Sequence, residues 1–293
     1  MLWWARDQDS LTMAPPFFHD ISRDINGLLN RDFFHTSPLS LNVSTKTQNG
    51  ANFALRGKQA VKEGPIQASV EGRFYDRKEG VSLSQSWSNQ NRLNSRIEFS
   101  KIAPGLKADV NACMTPQAIK NAKVNLSFAQ EFFTTRASVD LLHTKDFVGN
   151  VTLAHDGFVG GTEIAYDIPG GALARYAVAL GYLASDYSFV LSTNNKQFTS
   201  ASFFQNVNRH LQVGAKATVQ SKATPSMNIE FVTKYLPDST SQVKAKITDS
   251  GLATLSYKQN LKKDISLGMG MSFNALELAD PVHKFGWSLS FSA

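Results

Sequence analysis

Alternation between polar and apolar residues is the feature that most constrains this chain. In residues 81 to 88 the odd positions carry Val, Leu, Gln and Trp, and every even position carries Ser. Similar runs recur from about residue 38 to the last residue. A period of two residues places successive side chains on opposite faces of a β-strand. Each strand therefore has one apolar face and one small or polar face. Such strands fit a soluble β-sandwich, or a membrane barrel whose apolar face meets lipid and whose polar face lines a watery lumen.

Turn residues divide these runs into short strands. Asn49-Gly50, Glu79-Gly80, Asp156-Gly157 and Ser250-Gly251 are typical of tight hairpins, so neighbouring strands are expected to be antiparallel. Counting the runs gives about 19 strands, with no gap long enough for a second domain. Closing the sheet on itself would remove its unpaired edges. An odd number of strands then forces the first and last strands to pair in parallel.

Composition limits the alternatives further. The chain has 293 residues, 42% of them hydrophobic, and a mean hydropathy of −0.22. It lacks the run of about 18 apolar residues that a membrane-spanning helix needs, whereas a barrel strand spans with about 9 to 11 residues. The single cysteine, Cys113, excludes an intramolecular disulfide framework and a multi-cysteine metal site. A net charge of +6 suggests an anionic partner: nucleic acid, a phosphate-rich metabolite or a membrane surface.

The N-terminal region has a different pattern. After Pro15-Pro16, apolar residues recur at helical spacing, which predicts one amphipathic helix from about Phe17 to Asp32. Such a helix is expected to plug or cap the sheet, with a surface membrane anchor as the alternative. Residues 1 to 12 fit neither pattern and are expected to be an N-terminal extension. The predicted organisation is an extension over 1–12, a helix and linker over 13–37, and a β-barrel over 38–293.

Three motifs resemble the mitochondrial outer-membrane porins, also called voltage-dependent anion channels, in their fungal form. One is Pro104-Gly105-Leu106-Lys107, and another is the opening Met13-Ala14-Pro15-Pro16 with the later Thr45-Lys46-Thr47. The most specific is the family's C-terminal signature, which stands here as Tyr235, Asp238, Ser239, Ser241, Ala245, Lys246, Ile247, Thr248, Asp249, Thr254, Leu255 and Tyr257.

The resemblance covers Met13 to Ala293 and implies a fold, a function and a location. It implies an all-β, 19-stranded transmembrane barrel with the N-terminal helix in the lumen. It also implies a voltage-gated, weakly anion-selective channel in the mitochondrial outer membrane. The expected partners are the lipid bilayer, anionic metabolites such as ATP, ADP, phosphate and NADH, the outer-membrane barrel assembly machinery, and further copies of the chain in a homo-oligomer.

The alternation itself assigns charged residues to the polar face. Basic residues outnumber acidic ones there, and an excess of positive charge in a wide pore favours anions. The acidic residues are Glu71, Glu98, Asp109, Asp140, Glu163 and Glu230. The residues expected to line the pore and set its selectivity are Arg23, Arg31, Lys46, Arg56, Arg73, Arg96, Lys107, Lys216 and Lys246.

The resemblance also assigns individual positions. Arg23 and Arg31 stand where related channels have nucleotide-contacting lysines. A proposed dinucleotide-binding stretch corresponds to Leu252, Ala253, Thr254, Gly270, Met271, Ser272, Phe273 and Asn274. Gln85 stands on the apolar face, where animal members carry a membrane-facing glutamate, and it cannot titrate. The signal read by the assembly machinery corresponds to Lys284, Gly286, Leu289 and Phe291.

Catalytic and metal sites are not indicated. The six histidines lack metal-ligand spacing, and Cys113 has no histidine nearby in the sequence. We therefore expect no enzyme activity, no metal and no cofactor. Two other functions fit less well. An outer-membrane protein-import pore of the same fold would have a more acidic lumen and lacks the signature around Tyr235. A soluble nucleic-acid-binding protein would carry aromatic residues among its basic ones, and here they lie mostly on the opposite face.

Overall fold

The computed structural model describes residues 14–47, 50–59, 61, 64–142, 146–221, 226–279 and 283–292. The N-terminal extension expected over residues 1–12 lies outside this part of the chain. Nineteen strands account for most of the described residues. They are β1 (Leu39–Lys46), β2 (Asn52–Gln59), β3 (Ile66–Asp76), β4 (Val81–Ser88), β5 (Arg92–Ala103), β6 (Leu106–Thr115), β7 (Ala118–Ala129), β8 (Phe133–Asp140), β9 (Asp146–His155), β10 (Phe158–Asp167), β11 (Ala172–Leu183), β12 (Tyr187–Asn194), β13 (Phe198–Asn206), β14 (Leu211–Gln220), β15 (Ser226–Tyr235), β16 (Ser241–Thr248), β17 (Leu252–Lys262), β18 (Ile265–Asn274) and β19 (Lys284–Ser292).

The sheet closes into a barrel at β1. Strands that follow one another in the sequence pair antiparallel, and β1 pairs with β2 on one side and with β19 on the other. The β1–β19 pairing is parallel and runs from Leu39 beside Trp287 to Ser44 beside Ser292. The predicted closed barrel of 19 strands is therefore confirmed, including the parallel pair that an odd strand number requires.

Local turn chemistry sets the hairpin between β9 and β10. Asp156 has a φ of 49° and Gly157 a φ of 84°. Two successive positive φ values define the turn type whose twist matches that of paired strands, and Asp-Gly is a favoured sequence for it. The register then continues directly from Phe158 beside His155.

Asp238 organises the turn between β15 and β16. Its Oδ1 accepts hydrogen bonds from the Thr240 hydroxyl, the Thr240 amide and the Ser241 amide, at 2.7, 2.7 and 2.8 Å. These bonds lower the pKa of the Asp238 carboxyl to about 2, and the bond from the Thr240 hydroxyl contributes most. The aspartate of the sequence signature thus has a structural role, because it holds the turn closed while it is ionised.

The outer face of the barrel is apolar. Leu180, Phe231 and Trp287 are 59%, 55% and 51% exposed, and many other large apolar side chains share that face. Soluble monomeric proteins rarely expose a continuous apolar surface of this extent to water. The small and polar residues face inward. This distribution is the reverse of that in a soluble protein and matches a barrel in lipid.

The N-terminal segment, residues 14–38, is less helical than predicted. It contains a 3-10 turn at Phe18–Asp20, the α-helix α1 at Arg23–Asn30, and a second 3-10 turn at Phe34–Thr36. The prediction of one helix from Phe17 to Asp32 was wrong in its extent. Ser22 departs from helical geometry and provides no side-chain cap, and Arg31 is already extended. No described helix has the length and apolar character needed to cross a bilayer.

Arginine substitutions on the two faces of β4 provide a test of this orientation. Leu83 faces outward, and Ser84 beside it in the sequence faces the lumen. Leu83→Arg should lower the free energy of unfolding by about 2–4 kcal/mol if the site lies near the bilayer midplane, because a charge on the lipid face loses its hydration. Ser84→Arg is the matched control and should be tolerated. Denaturant titrations of both variants folded into bilayers give the comparison, and equal losses would contradict the assigned orientation.

Candidate permeation path

The strand register gathers the charged side chains on the inner face. Arg56 lies beside Asn42 and Ser69, Arg96 beside Ser84 and Asn111, and the same pattern continues around the barrel. The basic residues on this face are Lys46, Arg56, Lys58, Arg73, Arg92, Arg96, Lys107, Lys123, Arg136, Arg175, Lys216, Lys234, Lys244, Lys246, Lys258 and Lys284. They include every strand residue that was expected to line the pore.

Several inner-face carboxylates are paired with arginine or lysine. Glu71 contacts both Arg56, at 3.0 Å, and Arg73. Arg96 lies 3.4 Å from Glu98 and 3.5 Å from Asp109. The three arginines and three carboxylates of these pairs balance one another, so the positive excess comes from other residues of the inner face.

Several other basic residues of the inner face have no acidic partner in the described part of the chain. Lys46, Lys58 and Lys107 form no ion pair with a residue in the described part of the chain. Glu230 and Glu163 are paired with Lys246 and Arg175, at 3.4 and 3.0 Å. Lysines without an acidic partner contribute uncompensated positive charge to the lumen.

Apolar packing holds α1 against the inner wall. Ile25, Leu28 and Leu29 are buried in a cluster with Phe204 and Val232. The polar side of the helix also reaches the wall, since Lys216 Nζ donates a hydrogen bond to Asn26 Oδ1 at 3.1 Å. The helix therefore lies inside the barrel, as the resemblance implied.

The first 3-10 turn rests on β9 to β11. Ile21 is buried with Val159 and Ala179. His19 Nε2 lies 2.8 Å from Glu163 Oε2, which forms an ion pair when the imidazole is protonated. The pairing was not anticipated, because the two residues are far apart in the sequence and no local pattern connects them.

The linker after α1 is held by polar contacts. Lys244 Nζ donates a hydrogen bond to the Arg31 carbonyl oxygen at 2.6 Å, and the Ser256 hydroxyl donates to the Asp32 carbonyl oxygen. The Asp32 carboxylate lies 3.5 Å from Lys258 Nζ. Asp32 also adopts a φ of 57°, a conformation that aspartate tolerates better than most residues. The chain thus turns here without a glycine.

Two arginines project from this segment into the lumen. Arg23 and Arg31 are exposed although their neighbours Ile25 and Leu28 are buried. Their guanidinium groups make no ion pair with a described residue. Both positions expected to contact nucleotides are therefore accessible from the pore.

The proposed dinucleotide stretch is divided between two environments. Its two halves are adjacent, because Thr254 pairs with Ser272 across β17 and β18. Ala253, Met271 and Phe273 point away from the lumen. Thr254 and Ser272 face inward but are only 1% and 3% exposed. The stretch is thus brought together in space, and much of it is inaccessible from the pore.

The remaining sequence assignments fall on both faces. Gln85 is exposed on the outer face, between Gly72 of β3 and Ser95 of β5. In β19 the expected sorting residues alternate: Lys284 and Gly286 face the lumen, whereas Leu289 and Phe291 face outward. Among the described residues, no cluster of three or more histidine, cysteine or carboxylate side chains could hold a metal ion.

These observations define a class of protein: a closed membrane barrel with a charged lumen and a helix bound to its inner wall. A family model described as eukaryotic porin matches residues 14–286, and the chain belongs to that family. It is 75% identical over 280 residues to "Non-selective voltage-gated ion channel 2" of Saccharomyces cerevisiae, covering 96% of this chain and 100% of that protein. It is 42% identical to "Mitochondrial outer membrane protein porin" of Candida albicans, with the same coverage.

A solved structure shares the fold at low sequence similarity. A mutant of Rh. blastica porin matches with a TM-score of 0.51 and 7% identity, over 77% of this chain and 90% of that one. At this identity the match concerns the fold alone.

His35 makes the seating of the linker sensitive to acid. Its Nδ1 is buried without a partner among the described residues. Burial lowers the pKa of the imidazole below its usual 6.5, and the positive charges of Lys246 and Lys284 lower it further. The seated state thus favours neutral His35. As the pH falls below about 6.5, a released linker takes up the proton first, so the seated state loses stability.

We therefore predict that acidification from pH 7.5 to 5.5 lowers the thermal unfolding midpoint in micelles, and that His35→Gln reduces this loss. His210→Gln, in an exposed turn away from both lysines, is the control. Circular dichroism melts at several pH values measure the effect. An unchanged pH dependence in His35→Gln would contradict the prediction.

Proposed function

We propose that this porin has a weak preference for anions, which originates in the positive charge of its inner face. As a member of the eukaryotic porins, the chain is a voltage-gated channel for small solutes in the mitochondrial outer membrane. The observation that supports the preference is that lumenal lysines, among them Lys46, Lys58 and Lys107, form no ion pair with a described residue. Fixed positive charge raises the local concentration of anions.

The preference is expected to be weak for two reasons. The lumen is wide, and exposed charges in water are screened over about 8 Å at physiological ionic strength. Several carboxylates also remain on the same face. The Saccharomyces cerevisiae relative is named a non-selective channel, which accords with a small bias rather than strict exclusion of cations. Phosphate-bearing metabolites such as ATP and ADP are the proposed physiological anions, with phosphate and NADH.

We further propose that Arg23 and Arg31 contact the phosphates of passing nucleotides. Both guanidinium groups reach the lumen, and guanidinium binds phosphate through two parallel hydrogen bonds. A contribution of Leu252–Thr254 and Gly270–Asn274 would require movement of the residues that cover Thr254 and Ser272, since both side chains are almost fully buried. For targeting, we propose that Lys284, Gly286, Leu289 and Phe291 are read by the assembly machinery before β19 is closed.

Charge reversal in the lumen tests the selectivity proposal. Replacing Lys46, Lys58 and Lys107 together by glutamate changes the lumen charge by about six units, which should move the reversal potential toward cation preference. The control replaces Lys196, Arg209 and Lys263, which lie in turns between strands, by glutamate and alters the net charge equally. Reversal potentials in a planar bilayer under a salt gradient measure the result. Identical shifts in both triple variants, or no shift in either, would refute the role of the inner lysines.

Nucleotide contact by the helix arginines has a separate test. Arg23→Gln and Arg31→Gln should each weaken the reduction of small-ion current by ATP about two- to fivefold, since exposed ion pairs contribute up to about 1 kcal/mol. Arg31→Gln preserves the backbone carbonyl that Lys244 binds. Arg77→Gln, in the turn between β3 and β4, is the control. ATP titrations that are unchanged in both helix variants would exclude these arginines from the contact.

A further inference from the structure

Three glycines lie on the inner face beneath the second 3-10 turn. Gly270 of β18 and Gly286 of β19 are register partners, and Gly268 is two residues away on the same face. None of the three has a positive φ, so the backbone conformation does not demand glycine. Glycine weakens a strand interior because it offers no side chain to pack, and it often marks a close approach of another backbone. The close approach is visible here.

The turn occupies the space that side chains would fill. A Cβ atom at Gly286 would lie within 3.0 Å of the carbonyl oxygens of Phe34 and Ser37, closer than real Cβ contacts. A Cβ at Gly270 would lie 2.6 Å from the His35 amide nitrogen, and one at Gly268 would meet the Phe34 ring. Backbone atoms cannot rotate away as a side chain can. The turn can therefore pack against positions 270 and 286 only if both are glycine. At position 268, whether a larger residue fits depends on the orientation of the Phe34 ring.

Polar contacts continue this attachment along the neighbouring strands. Lys244 of β16 binds the Arg31 carbonyl oxygen at 2.6 Å, and Ser256 of β17 binds that of Asp32. At the other end of the turn, the Trp287 amide donates a hydrogen bond to the Pro38 carbonyl oxygen at 3.3 Å. The chain from Arg31 to Pro38 is thus bound to four successive strands, β16 to β19.

The attachment lies at the closing seam of the barrel. Immediately after Pro38 the chain enters β1, which pairs in parallel with β19. By contrast, α1 approaches the wall through the ends of flexible side chains: at Gly214 an added Cβ would meet Ile25 Cδ1 and Leu28 Cδ2. The linker is therefore held through its backbone, and the helix before it through side chains that can repack.

We propose that Gly268, Gly270 and Gly286 form a cradle that positions residues 34–37, so that the linker and the β17–β19 wall move as one body during voltage gating. The glycines act through the linker and do not contact the permeating ions. Release of the linker would leave α1 and its two exposed arginines held only by the side-chain contacts of the helix itself. A variant that unseats the linker should consequently change the voltage dependence of closure as well as the accessibility of the segment.

Alanine substitutions test the cradle in purified, refolded protein, which avoids any effect on targeting. Gly270→Ala and Gly286→Ala should speed trypsin cleavage after Arg31 about tenfold, because overpacking shifts the equilibrium toward the released linker. Gly57→Ala, in β2 with nothing within 4 Å of the added Cβ, is the matched control. In planar bilayers the two cradle variants should also close at altered voltages, whereas Gly57→Ala should behave as the parent. Equal cleavage rates in cradle and control variants would overturn the proposal.

A double-mutant cycle decides the question if Gly270→Ala or Gly286→Ala does not refold. Gly268→Ala alone should speed cleavage after Arg31, because the new methyl group meets the Phe34 ring. In a Phe34→Ala background the same substitution should have no further effect, since the opposing ring is gone. Independent effects of the two substitutions would show that Gly268 does not act through the linker. The proteolysis reports the attachment of the linker and does not depend on channel activity. The electrical measurement rests on the voltage-gated function, so the two measurements distinguish failure of the cradle from failure of that function.

Discussion

Backbone hydrogen bonding in a medium without water is the constraint on which this structure depends. Every amide and carbonyl group of a strand in hydrocarbon needs a partner within the protein, so a sheet with open edges is excluded. The chain satisfies this by joining β1 to β19. Because the number of strands is odd, the joint is parallel, with slanted hydrogen bonds that stabilise each residue slightly less than antiparallel ones. Successive side chains of a strand alternate between two faces, and closure makes one of these faces the lumen and the other the lipid-facing surface. The polar residues therefore point inward and the apolar residues outward.

The N-terminal segment makes the lumen asymmetric. It lies against β9 and β10 near Phe18, against β13 to β15 along α1, and against β17 to β19 near Phe34. The wall on the other side of the lumen contains a polar cavity of about 470 Å³ lined by residues of β2 to β7, among them Arg56, Arg73 and Arg96. A permeating anion therefore passes between a basic wall and a helix that presents its own arginines.

Much of this architecture could be predicted from the sequence because the relevant signals are local. Alternation identified the strands and the facing of residues such as Ser84 and Leu83, and Asp-Gly identified the β9–β10 hairpin. Local signals failed where distant contacts decide the conformation. The helix ends before Asp32 because that residue binds Lys258 and Ser256 of distant strands. The ion pair of His19 with Glu163, and the burial of Thr254, depend on the same long-range packing.

The contact between the linker and the last two strands has a consequence for the order of folding. Residues 34–37 and Gly286 belong to opposite ends of the chain, and contacts of large sequence separation form late because the loop entropy must first be overcome. The contact partner of the linker does not exist until the final strand has been made and placed. In a nascent chain the apolar side of α1 and the linker therefore lack their partners until the later strands have been made, and apolar surface exposed in this way favours aggregation before membrane insertion.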